Sequence, residues 1–326
     1  MAEHPFVVPQ RSASVLAGGA TSDEIRGPRY ERRSHGLHLP TGVEGDPVLM
    51  RVADAVGLMT SSCLLGGWAS LHAQGNTWFD GLDAHGTTRR ALIHCQPGSQ
   101  LRHRSIVQPF RGLVHPDEII EFETFSLTTM ARAAFDEMRM ATNVRDAVVV
   151  LDMATSTTIA RPHTTIERVA DVIQSHHKVR GLVQARKALA LGSARSASPW
   201  ETRTRLLAEL DAGVPRLAVN VPVFDTFGGL LGIADLLDEQ SGLVIESDGA
   251  HHRDSETHTE DNRREEKFER SGLVVSRVTS LDHKDRWRTV GRIAAARRDA
   301  LATAKCEWTT AKPGWWQTWA PGRRWD

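Results

Sequence analysis

Three acidic residues in the last third of the chain have a spacing that fits a metal site. Glu246 and Asp248 lie two residues apart in a predicted strand over residues 243–248, so their side chains project from the same face of that strand. Asp235 ends the strand before it, and antiparallel pairing would bring its carboxylate within ligand distance. Carboxylates that converge repel one another unless a divalent cation or shared protons neutralise them. Oxygen ligands favour Mg²⁺ or Mn²⁺, which lowers the pKa of bound water and offsets the charge on a phosphate under attack.

The elements around these residues predict an α/β domain. A helix begins at Ser198-Pro199, a capping residue followed by proline in the first helical position, and ends before Gly213. A hairpin of two strands and a third strand follow, and then come a charged helix over 256–271, a strand over 273–278 and a final helix over 281–304. The predicted order is therefore α-β-β-β-α-β-α.

Four short segments of this domain, taken together, resemble a known family. They are Gly232-Ile-Ala-Asp235, Leu243-Val-Ile-Glu-Ser-Asp-Gly-Ala-His-His-Arg253, Asp261-Asn-Arg-Arg264 and Gly272-Leu-Val-Val-Ser-Arg277. Over residues 198–308 the chain resembles the Vsr-like branch of the PD-(D/E)XK nuclease superfamily, which includes the very-short-patch-repair endonucleases. The resemblance implies a restriction-endonuclease-like fold, a mixed sheet flanked by helices, that hydrolyses phosphodiester bonds in DNA. It also implies that Asp235 and Glu246 bind the metal, with the main-chain carbonyl of Ser247 as a further ligand.

One position departs from the superfamily pattern. The pattern has a lysine two residues after the glutamate, and the patch-repair enzymes have a histidine there, whereas this chain has Asp248. An aspartate at this position resembles a large Vsr-like subgroup, and it would act as a third ligand or orient the attacking water. His252 is the candidate for proton transfer, unless His251 and His252 are ordinary loop histidines. Because the lysine is missing, the alternative function is a catalytically inactive DNA-binding regulator or antitoxin-like protein with the same fold.

Glu201, in the first turn of the domain's first helix, has two interpretations. It completes a capping box with Ser198, or it faces the cleft and assists catalysis, since the family also places a glutamate on this helix. The simplest interpretation of Asp235 and Glu246 is that they are surface carboxylates. They lie next to isoleucines in predicted core strands, where a carboxylate without a partner is unfavourable, so the sequence favours a functional role.

The charge distribution fits a nucleic-acid partner. Residues 201–269 contain 7 Lys+Arg and 16 Asp+Glu, a net charge of −9, whereas residues 270–326 contain 12 and 5, a net charge of +7. We expect the acidic part to bind the metal and Arg264, Arg288 and Arg292 to contact DNA phosphates. Solvated helix faces with ion pairs between successive turns would give the same counts.

The part of the chain before residue 192 predicts an α+β region. It contains Arg26-Gly-Pro-Arg-Tyr-Glu-Arg-Arg-Ser-His-Gly36, Phe125-Ser-Leu-Thr-Thr-Met-Ala-Arg132 and Val148-Val-Val-Leu-Asp152, which resemble AbiEi-type antitoxin-like proteins. The resemblance implies a degenerate winged-helix DNA-binding element over residues 1–45 and an AbiEi-like region over residues 46–192. It also implies a protein partner if the chain belongs to a toxin-antitoxin or defence system. The alternative for residues 46–190 is a scaffold without nucleic-acid contacts.

Two segments flank the predicted nuclease-like domain. The small residues of Gly192–Ser198 predict a linker before it. After it, residues 309–326 form a tail that is rich in tryptophan. Its indoles either stack on bases, with Arg323 and Arg324 nearby, or pack on the preceding domain, and we favour packing.

Composition excludes several classes of protein. The 326 residues include 40% hydrophobic residues and equal numbers of basic and acidic side chains, which excludes a disordered or fibrous protein. The longest apolar stretch, Val56–Leu71, is interrupted by polar residues and glycines, and residues 1–8 lack a secretory signal pattern. We therefore expect a cytoplasmic protein without membrane association. Cys63, Cys95 and Cys306 form no CxxC pair, so we expect buried or inert thiols rather than a disulfide framework or a zinc site.

Overall fold

The structure is a computed structural model that describes residues 6–83, 85–122, 124–248, 255–303 and 306–319, with the backbone alone for residues 255–262. The chain divides into two compact units. The first unit consists of Met1–Val150 and Arg161–Ala190, and the second unit consists of Leu151–Ala160 and Leu191–Asp326. The second unit therefore includes a short segment of the region that the sequence analysis assigns to residues 46–192.

Helices and strands are mixed along the described residues, as expected for the α/β class. The strands are β1 Gln10–Arg11, β2 Tyr30–Ser34, β3 Leu37–Pro40, β4 Cys63–Gly66, β5 Ala91–Cys95, β6 Val107–Phe110, β7 Ile119–Glu121, β8 Ser126–Thr128, β9 Ala218–Asp225, β10 Leu230–Asp238, β11 Leu243–Asp248, β12 Val274–Thr279 and β13 Trp308–Thr309. The α-helices are α1 Ser12–Ala17, α2 Ser22–Arg26, α3 Pro47–Leu58, α4 Gly67–Ala73, α5 Met130–Met140, α6 Val144–Thr155, α7 Ile166–Ser175, α8 Leu182–Leu191, α9 Pro199–Leu210, α10 Ser255–Arg270 and α11 Arg286–Ala302.

The first unit contains two sheets. Strands β1, β3 and β2 form a small antiparallel sheet, in which the β2–β3 hairpin turns at Gly36 with a φ of +70°. Arg33 of this hairpin donates hydrogen bonds to Asp54 on α3 at 2.9 Å, so this arginine of the Arg26–Gly36 segment has a structural partner. The second sheet has the order β6-β5-β4-β8-β7 and combines parallel and antiparallel pairs.

The second unit has the element order that the sequence predicts. Its elements α9, β9, β10, β11, α10, β12 and α11 follow the order α-β-β-β-α-β-α, and β13 adds an edge strand. The sheet order is β12-β11-β10-β9-β13, with β11 and β12 parallel and the other pairs antiparallel. Leu207 of α9 and Ile293 of α11 pack in one apolar core with Ile245, whereas Phe268 of α10 packs in another with Val244. Helices therefore cover both faces of this sheet.

The predicted linker Gly192–Ser198 begins just after Ala190, where the first unit ends, and it is packed rather than exposed. Ser196 is fully buried, and its hydroxyl donates a hydrogen bond to the buried carboxylate of Asp152 at 3.2 Å. The main-chain N–H of Ser193 donates to the same carboxylate at 2.7 Å. The small side chains permit this close packing, which composition alone does not distinguish from flexibility.

The tryptophan-rich tail packs on the second unit as far as it is described. Trp316 is fully buried and its ring lies 5.2 Å from that of Phe224, which confirms the packing interpretation for this indole. Trp315 and Trp319 retain about 40% of their surface, and Arg323, Arg324 and Trp325 lie outside the described residues. None of the helices in the described ranges combines the length and the apolar character needed to cross a membrane.

Candidate functional site

A cleft of about 100 Å³ in the second unit contains several of the residues singled out from the sequence. Its wall consists of Asp235, Glu246, Ser247, Asp248, Arg264 and Arg277. These residues come from β10, β11, α10 and β12. The cleft therefore combines carboxylates from two central strands with guanidinium groups from the helix and strand that follow them.

Asp235 and Glu246 are neighbours across β10 and β11. In the antiparallel register Leu236 pairs with Ile245, and continuing that register by one residue places Asp235 opposite Glu246. A carboxylate oxygen of Asp235 accepts a hydrogen bond from the main-chain N–H of Ser247 at 2.9 Å. Residues that face each other across an antiparallel pair have Cβ atoms about 5 Å apart. The sheet thus brings together the two carboxylates that lie eleven positions apart in the sequence.

Glu246 has a cationic partner in the cleft. Nη2 of Arg264 donates a hydrogen bond to Oε2 of Glu246 at 2.6 Å, and Glu246 is only 8% exposed. The stem of Arg264 lies against Gly232 of β10, where a Cβ atom would be 2.7 Å from Cγ of Arg264 and 3.0 Å from Cζ of Phe268. Glycine at position 232 therefore leaves the space through which Arg264 reaches the carboxylate.

Glu201 lies on α9 and is electrostatically coupled to Asp235. Its carboxylate accepts hydrogen bonds from the main-chain N–H of Ala197 at 2.8 Å and from Nδ2 of Asn220 at 2.6 Å. Burial, together with the negative charge of Asp235, raises the pKa of Glu201 to about 7. Ser198 caps the helix by accepting a hydrogen bond from the N–H of Glu201, while the Glu201 side chain is directed to Ala197 and β9. Ser198 therefore caps the helix, but the Glu201 side chain does not complete the predicted capping box, because its carboxylate accepts from the N–H of Ala197 rather than from that of Ser198.

Asn220 is a component of this arrangement that the sequence analysis missed. Val221 pairs with Ala234 and Val219 pairs with Leu236, which leaves Asn220 opposite Asp235. Asn220 has a φ of +47°, a left-handed conformation that asparagine tolerates better than most residues. A polar residue inside the alternating valines of β9 is the signal that could have identified it.

A second missed group adjoins the cleft on the other side of β11. Oγ1 of Thr204 on α9 lies 3.1 Å from Oγ of Ser247 and 3.1 Å from Nε2 of His283. Burial, with the positive charge of Arg203, lowers the pKa of His283. A chain of polar side chains therefore runs from His283 through Thr204 to a residue in the wall of the cleft.

Two of the remaining predicted site residues, Arg288 and Arg292, lie away from the cleft. Arg288 and Arg292 are exposed on α11 and are not part of the cleft wall. Arg292 donates to the main-chain carbonyl of Arg277 at 2.8 Å and pairs with Asp282 at 3.0 Å, so it has a structural role. His251 and His252 lie outside the described residues.

The donor set of the cleft allows a test of the predicted Mg²⁺ or Mn²⁺ site. Within the part of the chain that the structure describes, no group of three or more His, Cys, Asp or Glu side chains is placed to hold a metal ion. The described geometry therefore gives two opposed carboxylates, Asp235 and Glu246, rather than a cage of three that includes Asp248. Mg²⁺ is usually bound through one or two carboxylates while it keeps several water molecules, so two carboxylate donors fit a hard cation.

No protein-family model, curated protein or solved structure matches this chain. The resemblance to Vsr-like nucleases and to AbiEi-type proteins therefore stays a prediction.

Proposed function

We propose that the second unit is a metal-dependent DNA endonuclease with a restriction-endonuclease-like fold. One observation carries the proposal: Asp235 and Glu246 face each other across central strands in a cleft that also contains guanidinium groups. Carboxylates that share a small site favour a divalent cation, and guanidinium groups favour phosphate oxygens. The α-β-β-β-α-β-α order and the segments around Asp235 and Glu246 add support. We also propose a cytoplasmic location, in keeping with the sequence prediction.

The side chains of the cleft have distinct roles in this proposal. Asp235 and Glu246 would hold Mg²⁺ or Mn²⁺, with the main-chain carbonyl of Ser247 as a further ligand. When bound, such an ion lowers the pKa of a coordinated water and offsets negative charge on the phosphate. Arg264 and Arg277 bind the phosphate group of the DNA backbone and hold it in the cleft.

Glu201 and His252 are assigned to proton transfer, and Asp248 is assigned to the orientation of the attacking water. With a pKa near 7, Glu201 is present in both protonation states at neutral pH, so it accepts or releases a proton readily. Asp248 lies in the wall of the cleft and orients the attacking water through its carboxylate. His252 keeps its proposed role in proton transfer on the basis of the sequence segment alone.

A nicking assay tests the proposal. Supercoiled, mismatched and single-stranded DNA are incubated with the full chain and Mg²⁺ or Mn²⁺. We expect cleavage by the wild type and at least a hundredfold lower rate for Asp235→Asn and Glu246→Gln, because typical losses on removal of a catalytic group are of this order. The matched control is Glu266→Gln, which removes the same charge from an exposed position of α10. Equal cleavage by the wild type and both cleft variants would refute the assigned site.

A DNA-binding regulator without catalysis is the second candidate. Two observations favour it: Arg264 already neutralises Glu246, and Asp248 occupies the position of the superfamily lysine. This candidate predicts DNA binding that weakens steeply with salt, because phosphate contacts release counterions whether or not the strand is cut. Salt-sensitive DNA binding, without DNA cleavage in the presence of Mg²⁺ or Mn²⁺, would support this candidate. A protein that interacts only with a protein partner would show no DNA affinity at physiological salt.

A further inference from the structure

Two of the three cysteines are neighbours in the sheet of the first unit. Cys63 on β4 and Cys95 on β5 are direct partners in the antiparallel register, and their sulfur atoms are 3.9 Å apart. The sequence gives no sign of this contact, because more than thirty residues separate the two positions. Both side chains are buried, whereas Cys306 is exposed.

The hydrogen-bond pattern of the strands makes this pair geometrically suited to a disulfide. The N–H of Gln96 donates to the carbonyl of Ser62 at 3.0 Å, so these two opposed residues form a hydrogen-bonded pair. Hydrogen-bonded and non-hydrogen-bonded pairs alternate along an antiparallel ladder, so the next pair, Cys63 and Cys95, is a non-hydrogen-bonded pair. Opposed residues in such a pair have Cα atoms about 4.5 Å apart, within the range of roughly 4.4–6.8 Å found in disulfides. The sulfur atoms need to approach by about 2 Å to bond.

The two thiols differ in environment. Each thiol lines an open pocket, of about 320 Å³ at Cys63 and about 570 Å³ at Cys95, so a small oxidant has a path to either residue, and the difference lies in their hydrogen bonds. The sulfur of Cys63 lies 3.3 Å from Oγ1 of Thr60 and 3.4 Å from Oγ of Ser99. Burial opposes ionisation of Cys63, but these hydrogen bonds outweigh it and lower the pKa of the thiol. Burial raises the pKa of Cys95.

We propose that Cys63 and Cys95 form an oxidation site at which a peroxide converts the two thiols to an intramolecular disulfide. The thiolate of Cys63 attacks one oxygen of hydrogen peroxide, the O–O bond breaks, and the products are a sulfenic acid and, after proton transfer, water. The sulfur of Cys95 then attacks the sulfur of Cys63, a second water leaves, and the disulfide forms. Two thiols are oxidised, and one peroxide is reduced to two waters.

Thiol counting in the full chain tests this inference, which does not depend on the proposed nuclease function. Reduced protein is treated with hydrogen peroxide, unfolded in guanidinium with an alkylating reagent and mapped by mass spectrometry. We expect Cys63 and Cys95 to be recovered as one linked pair of peptides that has lost two hydrogen atoms. The Cys306→Ser variant, which removes the exposed thiol, is expected to form the same link.

Two further variants separate the steps. In Cys95→Ser, Cys63 has no resolving thiol, so we expect a sulfenic acid at Cys63 that dimedone traps. In Cys63→Ser, we expect no intramolecular link and an alkylated Cys95. Circular dichroism spectra before oxidation show whether each variant is folded. Oxidised wild type in which Cys63 and Cys95 are both alkylated, or in which either is linked to Cys306, would overturn the inference.

Discussion

Arg264 donates a hydrogen bond to Glu246 at 2.6 Å, and its side chain reaches this carboxylate over the surface of Gly232. The guanidinium group supplies the positive charge that balances Glu246 in the cleft, where Asp235 lies on the adjacent strand. A divalent cation or a DNA phosphate would compete for the members of this ion pair. A ligand that binds Glu246 or Arg264 would therefore have to displace this ion pair.

The absence of a side chain at Gly232 is expected to be necessary for the hydrogen bond between Arg264 and Glu246. In Gly232→Ala the new Cβ would lie within 3.0 Å of both Arg264 and Phe268, so we expect a loss of about 1–3 kcal/mol in the free energy of unfolding. The matched control is Gly291→Ala in α11, where a Cβ meets nothing within 4 Å and alanine favours the helix by about 0.5–1 kcal/mol. Urea denaturation of both variants measures the two effects. Equal stability of the two variants would contradict the packing described for Gly232.

Removal of the guanidinium group is expected to change metal affinity. In Arg264→Gln the carboxylates of Asp235 and Glu246 have lost a competing cation, so we expect Mg²⁺ to bind about tenfold more tightly, equivalent to about 1.4 kcal/mol. DNA affinity should fall in the same variant, because a phosphate contact is lost. Isothermal titration calorimetry with Mg²⁺ measures the first effect. Arg263→Gln, an exposed neighbour with the same change in charge, is the control and should bind Mg²⁺ like the wild type.

The sequence predicts those features of the cleft that depend on local pattern. Alternating apolar residues and turn signals give the order of elements in the second unit, and the two-residue spacing places Glu246 and Asp248 on one face of a strand. Asp235 joins them because the strands are connected by a short turn, which limits the possible pairings. Its position opposite Glu246 follows from the observed register.

Contacts between distant segments could not be predicted from the sequence. The coupling of Glu201 to Asp235 depends on how α9 packs and on the left-handed conformation of Asn220, neither of which local propensity determines. Cys63 and Cys95 meet only because β4 and β5 adopt one particular register. The small residues of Gly192–Ser198 resemble a linker, yet buried Asp152 draws this segment into the core through hydrogen bonds.

The raised pKa of Glu201 predicts a pH-dependent stability. The ordinary pKa is about 4.5 and the folded value is about 7, so the folded state binds this proton more tightly than the unfolded state does. The contribution of Glu201 to the free energy of unfolding is therefore fully present below about pH 4.5 and falls as pH rises through 7, by up to about 3 kcal/mol.

Glu201→Gln is expected to remove this slope, since the amide is neutral and its oxygen can accept the same hydrogen bonds. Urea denaturation at pH 5 and pH 8 provides the measurement. In Asp235→Asn burial still raises the pKa of Glu201 but the additional effect of the Asp235 charge is lost, so the slope should be smaller than in the wild type. The exposed control Glu266→Gln should keep the full slope. A Glu201→Gln variant with the same pH dependence as the wild type would show that Glu201 is not the titrating group.

Asp152 is expected to be the most sensitive polar position of the second unit. It is fully buried, and its carboxylate accepts hydrogen bonds from Nη2 of buried Arg205 at 2.9 Å and from Oγ1 of Thr202 at 2.8 Å. Asp152→Asn leaves the charge of Arg205 buried without this counter-ion, so we expect a loss of about 3–5 kcal/mol in the free energy of unfolding. The control Glu266→Gln breaks an exposed ion pair with Arg270 and should cost less than about 1 kcal/mol. A loss for Asp152→Asn no larger than that of the control would mean that Glu209, which already pairs with Arg205 at 3.3 Å, or water balances the charge of Arg205, and that the segment after residue 191 is held by its apolar contacts instead.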